Sequence, residues 1–269
     1  MTAHPEFAPD PSLSRSEMEA LQRRIADEAV FADDVAYDPQ AACPEAADGQ
    51  RHPSDTDSPT ARRGDGEPPV VVGVDQAFID DDRAVSALVA LQGGEVIERV
   101  SAVEPVEIPY IPGLLSFREG AAILAGFEAL SVTPDLALLD GSGRIHYREA
   151  GLATHVGVML DLPALGVAKS LLCGTPDGTT EGLAAGERVP IVADEDVTAT
   201  EGTVLGYAVQ TRQFDSPDRH VNPVYVSPGH RLSAETAADV ALSCAAGYKL
   251  PQPTRLADQH ADAAKADLR

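Results

Sequence analysis

The sequence predicts an α/β fold in which helices flank a mixed β-sheet. Three apolar runs between Val70 and Val103 are separated by short polar turns, which indicates an antiparallel meander of three strands. Beyond residue 115, segments with helical spacing alternate with short apolar runs, as in sheets whose strands are joined by helices. The sequence contains no internal repeat and no glycine-rich phosphate loop. We therefore expect three antiparallel strands followed by parallel strands.

The first 68 residues divide into a helix and a segment with no helical or strand pattern. Ser14 to Glu17 has the form of a capping box followed by apolar residues at helical spacing, which predicts a helix from about Ser14 to Val30. Between residues 37 and 68, Pro, Gly, Asp, Ser and Thr dominate. We expect an N-terminal helical segment (1–36) that packs on the core, a flexible acidic and proline-rich insert (37–68), and a main domain (69–269) with a polar C-terminal tail.

The main domain begins with the meander and continues with alternating elements. Strands are predicted at Val70–Phe78, Ala84–Leu91, Val96–Val103, Leu136–Leu139, Leu165–Lys169, Val189–Val192, Thr203–Val209 and Val224–Val226. Helices are predicted to begin near Ser116, Leu152 and Ser233, the first of them from a second capping box formed by Ser116 and Glu119. This order is that of a ribonuclease H-like fold, in which acids on the first and fourth strands meet at the sheet.

The charge of the chain gives information about its environment more than about its function. Forty-three acidic and twenty basic residues give a formal charge of −23, the opposite sign to that of a general nucleic-acid binder. A highly saline cytoplasm removes this objection, because the Debye length falls to about 3 Å at 1 M salt. The excess of acidic residues with few lysines fits such a halophilic setting.

Several classes of protein are disfavoured by composition. No run approaches the roughly 18 apolar residues of a membrane helix, and the N-terminus lacks the basic region of a signal peptide, so we expect a soluble, cytoplasmic protein without a membrane partner. Cys43, Cys173 and Cys244 share no CxxC spacing and leave an odd thiol, which argues against both a disulfide framework and a zinc site. We expect Cys173 and Cys244 to be small core residues.

Three acidic residues from separate predicted elements are candidates for a metal site. Asp75 interrupts an apolar strand, Asp140 ends another, and Glu119 lies at a helix start. Each also has a purely structural reading: a solvated edge position for Asp75, a turn for Asp140, and a cap with Ser116 for Glu119. Together they suit Mg²⁺, which prefers oxygen ligands and retains several waters.

A proline-bounded turn and a lysine supply further candidate chemistry. Pro109 and Pro112 restrict the backbone around Tyr110 and Ile111, and such a stiff apolar wedge can enter a stack of bases. Lys169 ends an apolar strand, where it could neutralise charge on a phosphate.

Histidines and serines give weaker signals. His146 and His155 lack a metal-binding spacing, and a single helical histidine is more often structural. Ser142 and Ser170 have no evident His-Asp partners, so a hydrolase triad is rejected.

These motifs together resemble the endonuclease V (deoxyinosine 3′-endonuclease) family, in a haloarchaeal form. The matching segments are Gly73–Asp75, Pro109–Gly113, Phe117–Glu119, Asp140–His146, Gly151–His155, Gly166–Ser170, Cys173–Gly174, Val226–His230 and Leu250–Asp258. The resemblance spans residues 14–36 and 69–261. The insert is longer than is usual in the family, and Tyr147-Arg148-Glu149 replaces the proline and basic residues that commonly follow His146.

The resemblance implies a ribonuclease H-like catalytic domain (69–269) that acts in DNA repair. It would recognise deoxyinosine and hydrolyse the second phosphodiester bond 3′ to the lesion, leaving a 3′-hydroxyl and a 5′-phosphate. Asp75, Glu119 and Asp140 would hold Mg²⁺, for which Mn²⁺ would substitute, and Lys169 and His146 would assist catalysis.

The resemblance also implies residues for base recognition and support. The DNA wedge would be Pro109, Tyr110, Ile111 and Pro112. The base pocket would comprise Gly113, Leu115, Gly141, Gly151, Ala168 and Leu172. Phosphate or support roles would fall to Arg118, Arg148, His155, His230 and Asp258.

Alternatives to this function remain open. The partner would be damaged DNA containing deoxyinosine, but inosine-containing RNA is also open because no residue is identified that reads a 2′-hydroxyl. We expect a monomer. Another nuclease of the same fold, such as a Holliday-junction resolvase or an RNA-directed enzyme, is the next candidate. A non-catalytic nucleic-acid-binding module is disfavoured by the joint presence of Asp75, Glu119, Asp140 and Lys169.

Overall fold

The computed structural model describes residues 2–43, 67–80, 82–214 and 220–268. One nine-stranded sheet lies at its centre, with strand order β3-β2-β1-β4-β5-β9-β8-β7-β6. The strands are β1 Val70–Ile79, β2 Arg83–Gln92, β3 Glu95–Pro105, β4 Leu136–Asp140, β5 Ala164–Ala168, β6 Thr175–Pro176, β7 Arg188–Val192, β8 Val204–Val209 and β9 Val224–His230. The helices are α1 Arg15–Glu28, α2 Leu115–Ala129, α3 Leu152–Leu160, α4 Ala234–Ser243 and α5 Gln252–Asp267.

The sheet is mixed, as the sequence predicted. Strands β1, β2 and β3 form the expected antiparallel meander, and β1, β4 and β5 are parallel to one another. The strands that follow β5 along the chain do not continue the parallel pattern, because β9 pairs antiparallel with β5 and leads through β8 and β7 to β6 by antiparallel pairing. The α/β prediction is confirmed, and its parallel part is restricted to the centre of the sheet.

Helices cover both faces of the central strands. Helices α2 and α3 pack on one face around residues such as Val72, Leu139 and Ile123, and α4 packs on the other face around residues such as Leu138 and Val226. The first six residues of β1 are all buried, which is expected for a strand covered on both sides. Every helix in the described part of the chain is too short or too polar to traverse a lipid bilayer.

The C-terminal segment, predicted only as a polar tail, is helix α5, and it packs on β1 and β2. Gly73 makes this approach possible: a Cβ at that position would lie 2.0 Å from the carbonyl oxygen of Pro253. The helix therefore begins directly over β1. Asp258, in the second turn of α5, is brought to the same sheet as Asp75 by this contact.

The predicted cap of α1 is present, and the predicted cap of α2 is wrong. Ser14 accepts a hydrogen bond from the Glu17 backbone, and the Glu17 carboxylate accepts one from the Ser14 backbone. In α2 the residue before the helix is Leu114, with no side-chain cap. Ser116 instead hydrogen-bonds to His155 on α3, because a buried histidine competes for its hydroxyl.

The start of the predicted insert is packed on the core. The Tyr37 hydroxyl donates a hydrogen bond to the Asp135 carbonyl over 2.6 Å, and Ala42 is fully buried. Cys43 and Cys244 form a disulfide, which contradicts the expectation that the chain has none. The odd thiol is Cys173, and a sequence separation of 201 residues gave no local sign of the pairing. Residues 44–66 of the predicted flexible insert lie outside the described residues.

Candidate active site and the pocket beside it

Three carboxylates meet where β1, β4 and α5 converge. Single oxygens of Asp75, Asp140 and Asp258 all lie within 4.8 Å of one another. The parallel pairing of Val74 with Leu139 places the next residue of each strand, Asp75 and Asp140, side by side. The sequence reasoning predicted Asp75 and Asp140 as ligands but assigned Asp258 only a support role, since its approach depends on the docking of α5. We call these three residues, with Glu119 and Lys169, the acidic site.

The acidic site brings four acidic residues together with a single lysine. Lys169 donates a hydrogen bond to Asp140 over 2.7 Å and lies 3.8 Å from Asp258. Burial, with the charge of Asp140 next in importance, raises the pKa of Asp75 to about 8. Partial burial lowers the pKa of Lys169, but the hydrogen bond and charge of Asp140 outweigh it, so the pKa is raised and the ammonium stays charged. One cation facing four acids leaves room for a further positive charge.

Glu119 lies next to this cluster and not within it. It projects from α2 and is 5% exposed, and burial followed by the charge of Asp75 raises its pKa to about 8. It is absent from the group of three whose oxygens converge. The carboxylate oxygens of Asp75, Asp140 and Asp258 are the ligand type that Mg²⁺ and Mn²⁺ prefer, and the raised pKa of Asp75 indicates that its charge lacks a partner here. The residues present therefore fit a divalent cation.

A small pocket lies between α2 and α3, beside the acidic site. We call it the α2–α3 pocket; its volume is about 60 Å³. It is lined by Gln22, Tyr110, Gly113, Leu115, Ser116, Ser142, His146, Ala150, Gly151, Leu152 and Leu172. Four of the six residues predicted for the base pocket are among these: Gly113, Leu115, Gly151 and Leu172. Gly141 and Ala168 are not among the lining residues.

The residues predicted as a DNA wedge form a loop at the rim of this pocket. We call residues 109–113 the wedge loop. Tyr110 is 63% exposed, and Ile111 packs against the cluster of apolar residues around α1. Gly113 closes the loop with a φ of +78°, a conformation that favours glycine. The structure therefore presents one aromatic ring to solvent beside the α2–α3 pocket.

His146 is held as a neutral group on the pocket wall. Its Nδ1 accepts a hydrogen bond from the backbone of Arg148 over 3.2 Å, so Nε2 carries the proton and donates to the Gly113 carbonyl over 3.0 Å. Burial lowers the pKa of His146 to about 4. Both ring nitrogens are engaged with the backbone. This arrangement suits a structural role toward Gly113 better than the predicted role in proton transfer.

The two arginines predicted to contact phosphate are engaged elsewhere. Arg118 donates to the carbonyl of Ile108 over 3.0 Å and stacks over Phe78 at 4.6 Å from the ring centre. Arg148 forms an ion pair with Glu19 on α1 over 2.8 Å. Both arginines anchor neighbouring segments. Lys169 is the charged group within hydrogen-bonding distance of the converging carboxylates.

The two histidines predicted to support the site lie away from the acidic site. His155 is fully enclosed, with Nδ1 bonded to Ser116 and Nε2 donating to the carbonyl of Phe7 over 2.7 Å. His230 pairs with Ala164 at the beginning of β5, whereas Lys169 follows the end of that strand. Its separation from Lys169 along β5 excludes His230 from the acidic site.

Sequence reasoning missed Gln22. It is 1% exposed, and it lines the α2–α3 pocket from α1. A signal was available, because Gln22 lies four residues after Met18 and three before Ile25, on the buried face of the predicted helix. A polar side chain on such a face needs buried partners, and the sequence offered no means of identifying them.

Comparison with known families gives a specific match. The sequence profile of the family described as Endonuclease V matches residues 57–259. A protein named Endonuclease V from Haloarcula marismortui is 61% identical over 276 residues, and the alignment covers 100% of both chains.

Solved structures agree with the sequence comparison. The crystal structure of the Endonuclease V from Streptomyces avermitilis superposes with a TM-score of 0.73 at 29% identity, covering 98% of this chain and 97% of that one. Endonuclease V from Ciona intestinalis, in complex with DNA containing an inosine followed by a ribo-adenosine, has a TM-score of 0.68 at 22% identity, covering 94% and 98% of the two chains. This second likeness concerns the fold alone.

Proposed function

Since this chain belongs to the endonuclease V family, it is an endonuclease, and we propose that it acts in the repair of DNA containing deoxyinosine. It hydrolyses the second phosphodiester bond 3′ to the lesion and leaves a 3′-hydroxyl and a 5′-phosphate. The observation that supports this best is the nearness of two different sites: an acidic site whose carboxylates fit a divalent cation, and a neutral pocket with an exposed tyrosine at its rim. Ser116, Ser142 and Leu172 of the pocket lie two or three residues along the chain from Glu119, Asp140 and Lys169. A base-specific nuclease needs both.

Asp75, Asp140 and Asp258 hold Mg²⁺, with Mn²⁺ able to replace it, and Glu119 stands beside them. When bound, the cation supplies Lewis-acid polarisation of a phosphoryl oxygen. Lys169, which stays charged, is placed to pair with a phosphate oxygen next to these carboxylates. Glu119, whose pKa is raised to about 8, can hold or release a proton near neutral pH.

The wedge loop and the α2–α3 pocket recognise the lesion. Tyr110 fills the gap that a flipped base leaves in the stack, and stacking on an aromatic ring suits any neighbouring base. Hypoxanthine pairs weakly, so its flipping costs less than that of adenine. The pocket contributes hydrogen-bonding groups at Ser142 and the backbone.

Residues 69–269 form the catalytic domain in this proposal, and the N-terminal helical segment (1–36) completes the pocket. We expect the protein to act as a monomer in the cytoplasm, where the chromosome is found. Inosine-containing RNA is the second candidate substrate. It stays a candidate because no residue of the sequence is identified that reads a 2′-hydroxyl.

The test is cleavage of an end-labelled duplex with one deoxyinosine in molar KCl, with Mg²⁺ or with EDTA. We expect a nick at the second phosphodiester bond 3′ to the lesion, lost in EDTA and absent from a matched duplex with deoxyadenosine. A single-stranded RNA with one inosine serves as the parallel substrate. If the folded protein with Mg²⁺ cleaves only the RNA, the DNA proposal is wrong. If it cleaves neither, the substrate assignment fails as a whole.

A further inference from the structure

Helix α1 supplies one fully buried amide to the α2–α3 pocket. The Nε2 of Gln22 donates to the Gly113 carbonyl over 2.8 Å and to the Ala150 carbonyl over 3.4 Å. Its Oε1 accepts a hydrogen bond from Arg148 over 3.1 Å. Both polar atoms of the side chain are therefore engaged, which is the usual condition for burying an amide.

The partners of Gln22 belong to opposite walls of the pocket. Gly113 ends the wedge loop and precedes α2, and Ala150 precedes α3. These residues lie 91 and 128 positions away from Gln22 in the sequence. One amide thus spans the two segments between which the pocket opens, and it limits how far apart they can move.

Two side chains hydrogen-bond to the Gly113 carbonyl. It accepts hydrogen bonds from Gln22 and from the Nε2 of His146 over 3.0 Å. A Cβ at position 113 would lie 3.2 Å from the Tyr147 ring, so this ring packs closely against the glycine. The orientation of the wedge loop relative to the pocket is therefore fixed at this residue.

An amide is an unusual choice for the position of Gln22. Met18 and Ile25, on the same face of α1, are buried in an apolar cluster with Phe117 and Met159. Packing alone favours an apolar residue there, since a buried polar group costs free energy unless all its hydrogen bonds are made. A residue that departs from the local packing pattern, yet is fully satisfied by two pocket walls, indicates a functional constraint.

We propose that Gln22 is a positioning residue for base recognition, which holds the Gly113 and Ala150 carbonyls and so sets the width of the pocket and the angle of the wedge loop. This inference rests on the proposed function. Helix α1 then contributes directly to the selectivity for the base without contacting the acidic site. Loss of the Gln22 hydrogen bonds should affect the choice of base far more than the chemical step.

Two substitutions and one control separate this role from simple packing. Gln22→Met keeps the length of the side chain and removes its hydrogen bonds. Gln22→Glu keeps the shape and replaces the Nε2 donor with an oxygen that repels the Gly113 carbonyl. Met18→Ala lies one turn earlier on the same buried face and outside the pocket lining, so it weakens packing alone.

The measurement is the affinity of the full-length protein for a deoxyinosine duplex and for a matched deoxyadenosine duplex, by fluorescence anisotropy in EDTA and molar KCl. Saturating kcat with Mg²⁺ is measured alongside, and circular dichroism checks folding. We expect Gln22→Met to reduce the preference for deoxyinosine at least about fivefold, and Gln22→Glu to reduce it further, with kcat changed less than about threefold. Met18→Ala should lower Tm and keep the preference.

The outcomes test the role of Gln22 separately from the proposed function. A wild-type preference that is retained in both Gln22 variants would overturn the inference and leave the proposed function standing. A loss of preference in Met18→Ala equal to that in Gln22→Met would also overturn it, since packing would then explain both. No wild-type preference for deoxyinosine would overturn both the proposed function and the inference. If Gln22→Met does not fold, Gln22→Glu, whose carboxylate can pair with Arg148, carries the test.

Discussion

The acidic site and the α2–α3 pocket share the first turns of helix α2 and differ in almost everything else. Glu119 faces the acidic site, whereas Leu115 and Ser116 line the pocket. The acidic site consists of ionisable side chains, and burial followed by the charges of neighbouring carboxylates raises the pKa of Asp75 and Glu119. The pocket consists of glycines, backbone carbonyls and neutral side chains, with a histidine whose pKa is lowered.

The two sites therefore depend on different parts of the protein, side chains in one and backbone in the other. In the acidic site the important atoms belong to side chains, so a single isosteric substitution removes a charge and leaves the backbone in place. In the pocket the important geometry belongs to the backbone, and it is maintained by partners from α1 and from the turn before α3. Substitutions should therefore affect chemistry in one region and selectivity in the other.

The largest expected effect is at Asp75. Asp75→Asn removes one of the three converging carboxylates, and we expect kcat to fall by at least about 10³-fold, a loss typical of removing a central electrostatic group. Affinity for the deoxyinosine duplex in EDTA should stay within a few-fold, because the pocket is untouched. Gel assays of cleavage and anisotropy of binding measure the two quantities.

Asp80→Asn is the matched control for this change. Asp80 is exposed at the end of β1, and its φ of +49° is a conformation that asparagine tolerates. Wild-type cleavage by the Asp75→Asn protein would remove Asp75 from the cation site.

The second effect is on the free energy of unfolding. The stability contributed by the buried acids should fall as pH rises, and that contributed by the buried histidines should fall as pH drops. In the metal-free protein the pKa values of Asp75 and Glu119 are raised to about 8, so the unfolded state releases their protons first and stability falls as pH rises from about 4 to about 8. The pKa values of His146 and His155 are lowered to about 4, so the unfolded state binds protons first and stability falls as pH drops from about 6.5 to about 4.

Urea unfolding in EDTA and molar KCl from pH 4 to 8.5 checks this. Asp75→Asn should flatten the decline between pH 6.5 and 8, because the raised pKa of Asp75 places its titration in that window. His146→Gln should reduce the decline toward acid pH. Identical slopes in the wild-type protein and both variants would contradict the assignment of these groups.

The third effect is at the rim of the pocket. Tyr110→Ala removes the exposed ring of the wedge loop, and we expect about tenfold weaker binding of the deoxyinosine duplex, in the range for loss of one base–aromatic stack. The Mg²⁺ concentration needed for half-maximal cleavage should not change. Tyr248→Ala, at a second exposed tyrosine, is the control. Unaltered lesion affinity in the Tyr110 variant would refute the wedge.

The smallest effect on function is expected at His230. It accepts a hydrogen bond from the Val30 backbone and donates to Asp161 over 3.3 Å, at the end of β5 remote from Lys169. His230→Asn should lower Tm but keep kcat/KM within about twofold. A loss of cleavage comparable to that of Asp75→Asn, in a protein that is still folded, would mean that His230 acts on the site after all.

Sequence reasoning could predict those parts of the molecule whose signals are local. The strands of the meander follow from β-branched runs and turns, and Asp75 and Asp140 stand out because they interrupt or end apolar strands. The position of Asp258 beside Asp75 and Asp140 could not be predicted in the same way. Its position depends on the contact between Gly73 and Pro253, which are far apart in sequence.

Other differences between the sequence reading and the structure have the same origin. Ser116 and Glu119 have the spacing of a cap, but His155 from another helix takes the serine hydroxyl. His146 and Arg148, predicted as a catalytic and a phosphate-binding group, are bonded to Gly113 and Glu19 in the structure. In each case a long-range partner decides between two roles that the local sequence allows equally.

The Cys43–Cys244 disulfide has a topological consequence. It closes the chain from residue 43 to residue 244 into a covalent ring that contains all nine strands. A single peptide-bond break within that ring, whether by a protease or by chemical damage, leaves one connected molecule, and α1 stays tethered to the helices it packs against. The same break in a reducing environment would yield two separable fragments, one of them carrying Gln22 away from the pocket.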